Sequence, residues 1–174
     1  RVPLKGNKVE NDRLDGAGYA TDRTTFSHDL CADEALEFVK RNHENPFFLY
    51  LSLTIPHANN EGGKRGMEVP DYGVYSAMDW PEPQKGHADM ISRLDADIGK
   101  LMALLEDLNI DEHTIVFFTS DNGPWLSYGG HSGSSGIFRE GKGTNWEGGH
   151  RVPGIVSYPK RIPSETKIEV AAMG

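Results

Sequence analysis

The chain has 174 residues, enough for one ordinary domain with a core of its own. A formal net charge of -8 argues against general nucleic-acid binding, which needs clustered surplus Lys and Arg, and no apolar run reaches the length of a membrane span. One cysteine, Cys31, permits neither an internal disulfide nor a Cys-His metal cluster.

Residues 1–27 are rich in Gly, Asp, Asn, Arg and Thr without a sustained period, which predicts an irregular segment. The opening Arg1-Val2-Pro3 has no initiator Met and no signal-peptide pattern, so the N-terminus reads as an excised start. From about Asp29 to Arg41, Cys31, Ala35, Phe38 and Val39 share one helical face, with charges on the other side. Asn45-Pro46 ends that helix, and the apolar run Phe47 to Leu53 predicts a strand leading to Thr54-Ile55-Pro56-His57. Residues 58–86 carry many Gly, Pro, Glu and Asn, and predict a long loop without a regular core.

Ile91, Leu94, Ile98, Leu101, Leu105 and Leu108 recur at spacings of three and four, the stripe of a core-facing helix from about His87 to Leu108. Thr114 to Thr119 then reads as a strand of the kind buried on both faces of a parallel sheet, closed by Ser120-Asp121-Asn122-Gly123-Pro124. A Gly-rich loop over 125–150 precedes a further strand, Val152 to Pro159. The rhythm of helix, strand, helix, strand predicts an α/β fold with a mostly parallel sheet flanked by helices.

Asp121 and Asn122 sit at the carboxyl end of a strand, where ligands bind in open α/β sheets. Their side-chain oxygens suit Ca²⁺ or Mg²⁺. The same residues also suit an Asx-type turn bonded to local backbone, and the residues alone weigh the two equally. His57 ends the other strong strand, so a parallel sheet would bring it to the same edge. A lone His is more often satisfied by loop backbone, yet one near neutrality can act as general acid or hold an anionic oxygen.

Lys142 lies between Gly141 and Gly143, with Arg139 before it and Thr144 after it. Glycines admit backbone N-H groups close to an anion and the cation adds charge, which suits phosphate or sulfate. The alternative is a solvated loop cation, with Arg139 and Arg151 paired to Glu140 or Glu147. A nucleotide-binding loop is excluded, because that motif requires Ser or Thr directly after the Lys and this chain has Gly143.

The Ser-Asp-Asn-Gly-Pro turn, the run Arg139-Glu140-Gly141-Lys142-Gly143-Thr144-Asn145-Trp146-Glu147-Gly148-Gly149-His150-Arg151-Val152-Pro153, and the Pro-Phe-Phe-Leu-Tyr segment from Pro46 ending in Pro56-His57 together resemble the type I sulfatases. The resemblance implies an alkaline-phosphatase-like α/β sandwich in which a formylglycine attacks a sulfate ester beside Ca²⁺. It implies Asp121 and Asn122 as calcium ligands, His57 as the histidine on the leaving-group side, and Lys142 as the lysine holding a sulfate oxygen. His131, Arg139 and His150 are candidates for the substrate pocket.

The family carries its Cys/Ser-x-Pro-x-Arg nucleophile motif near its N-terminus, after a strand ending in paired aspartates; no such motif stands ahead of the matched segments in this sequence, and Cys31-Ala32-Asp33-Glu34 does not match it. Residues 1–174 are therefore expected to be part of a sulfatase catalytic domain, inactive alone and completed by an N-terminal part of the same domain. The resemblance implies a sulfated small molecule or carbohydrate as substrate and a secreted or periplasmic setting. A phosphate or phosphonate monoester hydrolase of the same superfamily and a non-catalytic binding module on the same scaffold are the alternative readings.

Overall fold

The computed structural model describes residues 24–131 and 133–167, so most of the expected irregular segment 1–27 lies outside the described residues. The first helix, α1, spans Ser27–Asn42, with Asp29 in its first turn and Lys40 and Arg41 in its last, the charge order that suits the helix dipole. Its buried positions are His28, Ala32, Ala35 and Val39. Their four-three-four spacing confirms the helix but corrects its inner face. Cys31 is exposed, because the small residue Ala32 rather than the thiol meets the neighbouring helix layer.

That neighbour is α2, Glu82–Asp107, which starts five residues earlier than the apolar stripe suggests. Pro83 causes no break there, since the first turn has no partner for its missing N-H. The two helices are joined by polar pairs. Nε2 of the buried His28 donates to Asp97 Oδ2 at 2.9 Å, and Arg93 reaches Asp89 at 2.6 Å, Asp71 at 3.1 Å and Asp29 at 3.9 Å. Burial alone would raise the Asp97 pKa, but hydrogen bonds from Lys100 and His28 outweigh it and hold the carboxyl below its usual range.

The 58–86 segment corrects the expectation of a loop without a core. Ala58 and Met67 are buried there and form a cluster with Ile55 and Met90, against which Phe26, Val69, Leu94 and Tyr128 pack. Short 3-10 turns at Asn60–Arg65 and Gly73–Tyr75 carry the chain round. Close approach explains the cluster: a Cβ on Gly86 of α2 would lie 2.0 Å from the Met67 carbonyl oxygen. Without a side chain at that position, α2 meets the loop backbone directly.

Residues 47–54 alternate strictly between half-buried and exposed, as a strand would. Phe47 meets Phe38 of α1 edge-on at 6.0 Å, while Phe48 and Tyr50 on the other side are 86% and 79% exposed. No ladder partner for this segment exists among the described residues, so it is a strand in shape alone.

The ladder that does form joins β1, Val116–Thr119, to β2, Gly154–Ser157, and it is antiparallel, with Phe117 opposite Val156 and Phe118 opposite Ile155. A parallel sheet is thus not what the described residues form. Their connection carries a 3-10 turn at Leu126–Tyr128 and one α-helical turn, α3 at Glu147–His150, in place of a long crossover helix, and the Thr119 hydroxyl donates to the Pro153 carbonyl at 3.0 Å where the chain returns. Nor is β1 buried on both faces. Phe117 is 69% exposed, because one side of the two-stranded ribbon has nothing packed on it among the described residues.

Candidate functional site

The site grows from the turn that ends β1. The Ser120 hydroxyl donates to the Asn122 carbonyl at 3.0 Å, which closes the turn with the serine. The side chains of Asp121 and Asn122 have no hydrogen-bond partner among the described residues, so the Asx-turn alternative loses its basis. Two adjacent oxygen-bearing groups are left unengaged, with Asp121 exposed and Asn122 half-buried.

Backbone contacts lock the Lys142 loop against that turn. The Lys142 N-H donates to the Pro124 carbonyl at 2.9 Å, Gly123 N-H to Gly149 at 2.9 Å, and Gly148 N-H to Arg139 at 2.9 Å. A Cβ on Gly123 would stand 1.9 Å from the Gly148 oxygen, one on Gly141 2.4 Å from the Pro124 oxygen, and one on Gly148 2.0 Å from the Glu140 oxygen. At 123, 141 and 148 the absent side chains permit backbone to pack on backbone, and the N-H groups of Gly123 and Gly148 are engaged by carbonyls.

With its loop so held, Lys142 brings Nζ to 2.8 Å from His57 Nε2, across 85 residues of sequence. The other ring nitrogen, Nδ1, lies 2.7 Å from the Ala58 carbonyl, which can only accept, so Nδ1 carries the proton. Nε2 is then the acceptor for the Lys142 ammonium. The partner of His57 is thus Lys142; no hydrogen bond or ion pair among the described residues joins it to Asp121 or Asn122, to whose edge a parallel sheet would bring it.

An aromatic row, which no sequence motif announces, backs this pair. The His57 ring stacks on Trp125 at 6.2 Å and 22°, Trp125 on Tyr128 at 4.9 Å and 25°, and His131 meets Tyr128 edge-on at 4.9 Å. Of the pocket candidates, His131 is the outer member of this row. Arg139 lies over the Trp146 ring at 3.8 Å and pairs with neither Glu140 nor Glu147, whereas Arg151 takes both oxygens of Glu147 at 3.1 Å. His150 closes α3 and is exposed. No hydrogen bond, ion pair or ring contact among the described residues joins Arg139 or His150 to the His57-Lys142 pair.

His87, on α2 near this row, has its pKa pushed below the ordinary 6.5 by burial and, in smaller part, by the charge of His131. The unfolded chain then takes up the proton more readily than the folded one. The stability tied to neutral His87 is complete above pH 6.5 and declines as pH falls from there toward the lowered folded value. Between about pH 7.5 and 5.5 the melting temperature is expected to drop further for the native chain than for His87→Gln. Equal drops in the two chains would contradict this.

The structure thus sets Lys142 beside His57, on a loop whose backbone packs against the turn that carries Asp121 and Asn122. The sulfatase family model matches residues 6–172, and the chain belongs to that family. It is 36% identical over 141 residues to human steryl-sulfatase, covering 78% of this chain and 22% of that protein. It is 40% identical over 134 residues to N-acetylgalactosamine-6-sulfatase of Canis lupus familiaris, covering 75% of this chain and 23% of the relative. The crystal structure of Ps i-CgsB in complex with k-i-k-neocarrahexaose superimposes with a TM-score of 0.64 at 31% identity, over 84% of this chain and 31% of that one. The chain thus spans less than a third of each of these three proteins.

Proposed function

We propose that this chain is the part of a sulfatase catalytic domain that carries the leaving-group side of the site, and that the protein it belongs to hydrolyses sulfate esters. The observation that carries the reading is the 2.8 Å contact between Lys142 Nζ and His57 Nε2. Lys142 offers positive charge to a sulfate oxygen. His57, with Nδ1-H engaged by Ala58, presents Nε2 as the nitrogen that would take up a proton from solvent and deliver it to a leaving alcohol oxygen.

Asp121 and Asn122 fit calcium, because their oxygens are hard donors without competing partners among the described residues. Calcium takes about six to eight oxygens, so two side chains make an incomplete shell. Among the described residues no group of three His, Cys, Asp or Glu side chains could complete it, and the remaining ligands come in this reading from an N-terminal part of the same domain. When bound, calcium supplies charge that offsets the sulfate, and a formylglycine from that same part supplies the nucleophile. Sulfated carbohydrates are the substrates we favour, since a relative is named for a sulfated amino sugar and a structural neighbour holds neocarrahexaose. A secreted or periplasmic location goes with this reading; no helix among the described residues is long and apolar enough to cross a membrane.

The test is turnover of an aryl sulfate by the longer protein that contains this chain, with calcium present and then chelated. Calcium-dependent release of sulfate is expected, together with none from the 174-residue chain alone. Preference for an aryl phosphate would move the protein to the phosphate-monoester branch. No hydrolysis of either ester would leave a binding module on the same scaffold.

A further inference from the structure

We propose that Trp125 is a positioning residue for His57, holding the imidazole in the one orientation in which Nε2 meets Lys142. The proposal deepens the sulfatase reading and rests on it for the meaning of the His57-Lys142 pair. His57 is exposed, and apart from the contact with Lys142 itself its hydrogen bond from Nδ1 to the carbonyl of the next residue leaves the imidazole free to swing about that bond. The stack on Trp125, at 22° between planes, supplies the second restraint. Two restraints define a ring plane where one does not.

Trp125 can serve this way because it is itself anchored. Tyr128 stacks on it, packs against the buried Ile55-Ala58-Met67-Met90 cluster, and donates its hydroxyl to the Gly63 carbonyl at 3.2 Å. The indole is half-buried with two rings against it, which suits a support better than an open platform for a sugar ring. Its place in the chain adds a further reason. Pro124 takes the Lys142 N-H through its carbonyl, and the very next residue takes the His57 ring through its side chain, so two consecutive residues set both partners of the pair.

The experiment uses the protein that contains this chain, labelled with ¹⁵N at its histidines and read by the ring nitrogen and ring proton shifts of His57. In the native chain a single Nδ1-H tautomer is expected, with the His57 Hε1 resonance displaced upfield by the indole ring current. Trp125→Phe keeps both signatures, while Trp125→Leu mixes the tautomers and returns Hε1 to the position of an unstacked histidine. Titration with inorganic sulfate is expected to perturb His57 in the native chain, with affinity about two- to tenfold weaker in Trp125→Leu, the range of one aromatic ring contact.

An unshifted Hε1 in the native chain overturns the proposal without any variant, so a leucine substitution that fails to fold does not protect it. So does a Trp125→Leu chain whose melting temperature falls while the tautomer stays fixed. Tautomer mixing in Trp125→Leu, with no sulfate response in either chain, supports the positioning role and counts against the sulfatase reading of the pair.

Discussion

Replacing Lys142 by alanine in the protein that contains this chain is expected to lower kcat/KM for an aryl sulfate by about 10² to 10³-fold, the usual cost of removing one preorganised charge partner from a transferring group. The loss should lie mainly in kcat, since charge on the transferring oxygens grows toward the transition state. His57→Ala should cost a comparable about 10² to 10⁴-fold, but with a different signature. Its effect should deepen as the leaving alcohol becomes more basic, because a nitrophenolate departs without help and a sugar hydroxyl does not. The two side chains touch at 2.8 Å, so the double variant should lose less than the product of the single losses. Strict multiplicativity of the two effects, or a His57→Ala loss indifferent to leaving group, would separate the pair from the chemistry.

Gly148→Ala is expected to destabilise the chain toward the upper end of the roughly 1–3 kcal/mol typical of overpacking, while Gly99→Ala stabilises it by about 0.5–1 kcal/mol. Both glycines lie in helices, α3 and α2, so local propensity favours alanine at each. Space decides the sign. Nothing lies within 4 Å of a Cβ at Gly99, whereas one at Gly148 would meet the Glu140 oxygen at 2.0 Å and the Arg139 oxygen at 2.6 Å. Those atoms are backbone and cannot turn aside as a flexible side chain would. Relief requires α3 to move off the Lys142 loop, and with it the 2.9 Å hydrogen bond from Gly148 to Arg139. Thermal melts of both variants check the opposite signs, and a stabilised Gly148→Ala would show that the loop is not packed as described.

How far this was legible in the sequence depends on which signal each element carries. The helices are, because a three-four apolar spacing is the helix period itself; the error over Cys31 and Ala32 is one position on a face, which periodicity alone does not resolve. The direction of β2 against β1 is not, since an apolar run says nothing about which way its neighbour runs. His57 and Lys142 are legible as residue types at the ends of segments, yet their contact depends on how two distant loops pack. Trp125 is legible only as part of a loop beside the pocket candidates: an aromatic in a loop has no period, and its stacking on His57 exists only in three dimensions. The glycines of the 141–149 run were visible, but whether a glycine faces an anion or another backbone is a question of what lies where its Cβ would be.

The separation of His57 from Lys142 by 85 residues also bears on the order in which the chain assembles. Helical turns need contacts only a few residues apart, but this pair must wait for a long loop to close, as must the Tyr128 bond to Gly63 across 65 residues. Loop-closure entropy is offset only when both ends already have something to dock on, namely the cluster of Ile55, Ala58, Met67 and Met90. The His57-Lys142 pair is therefore expected to form late in folding, after the cluster of Ile55, Ala58, Met67 and Met90 has begun to pack.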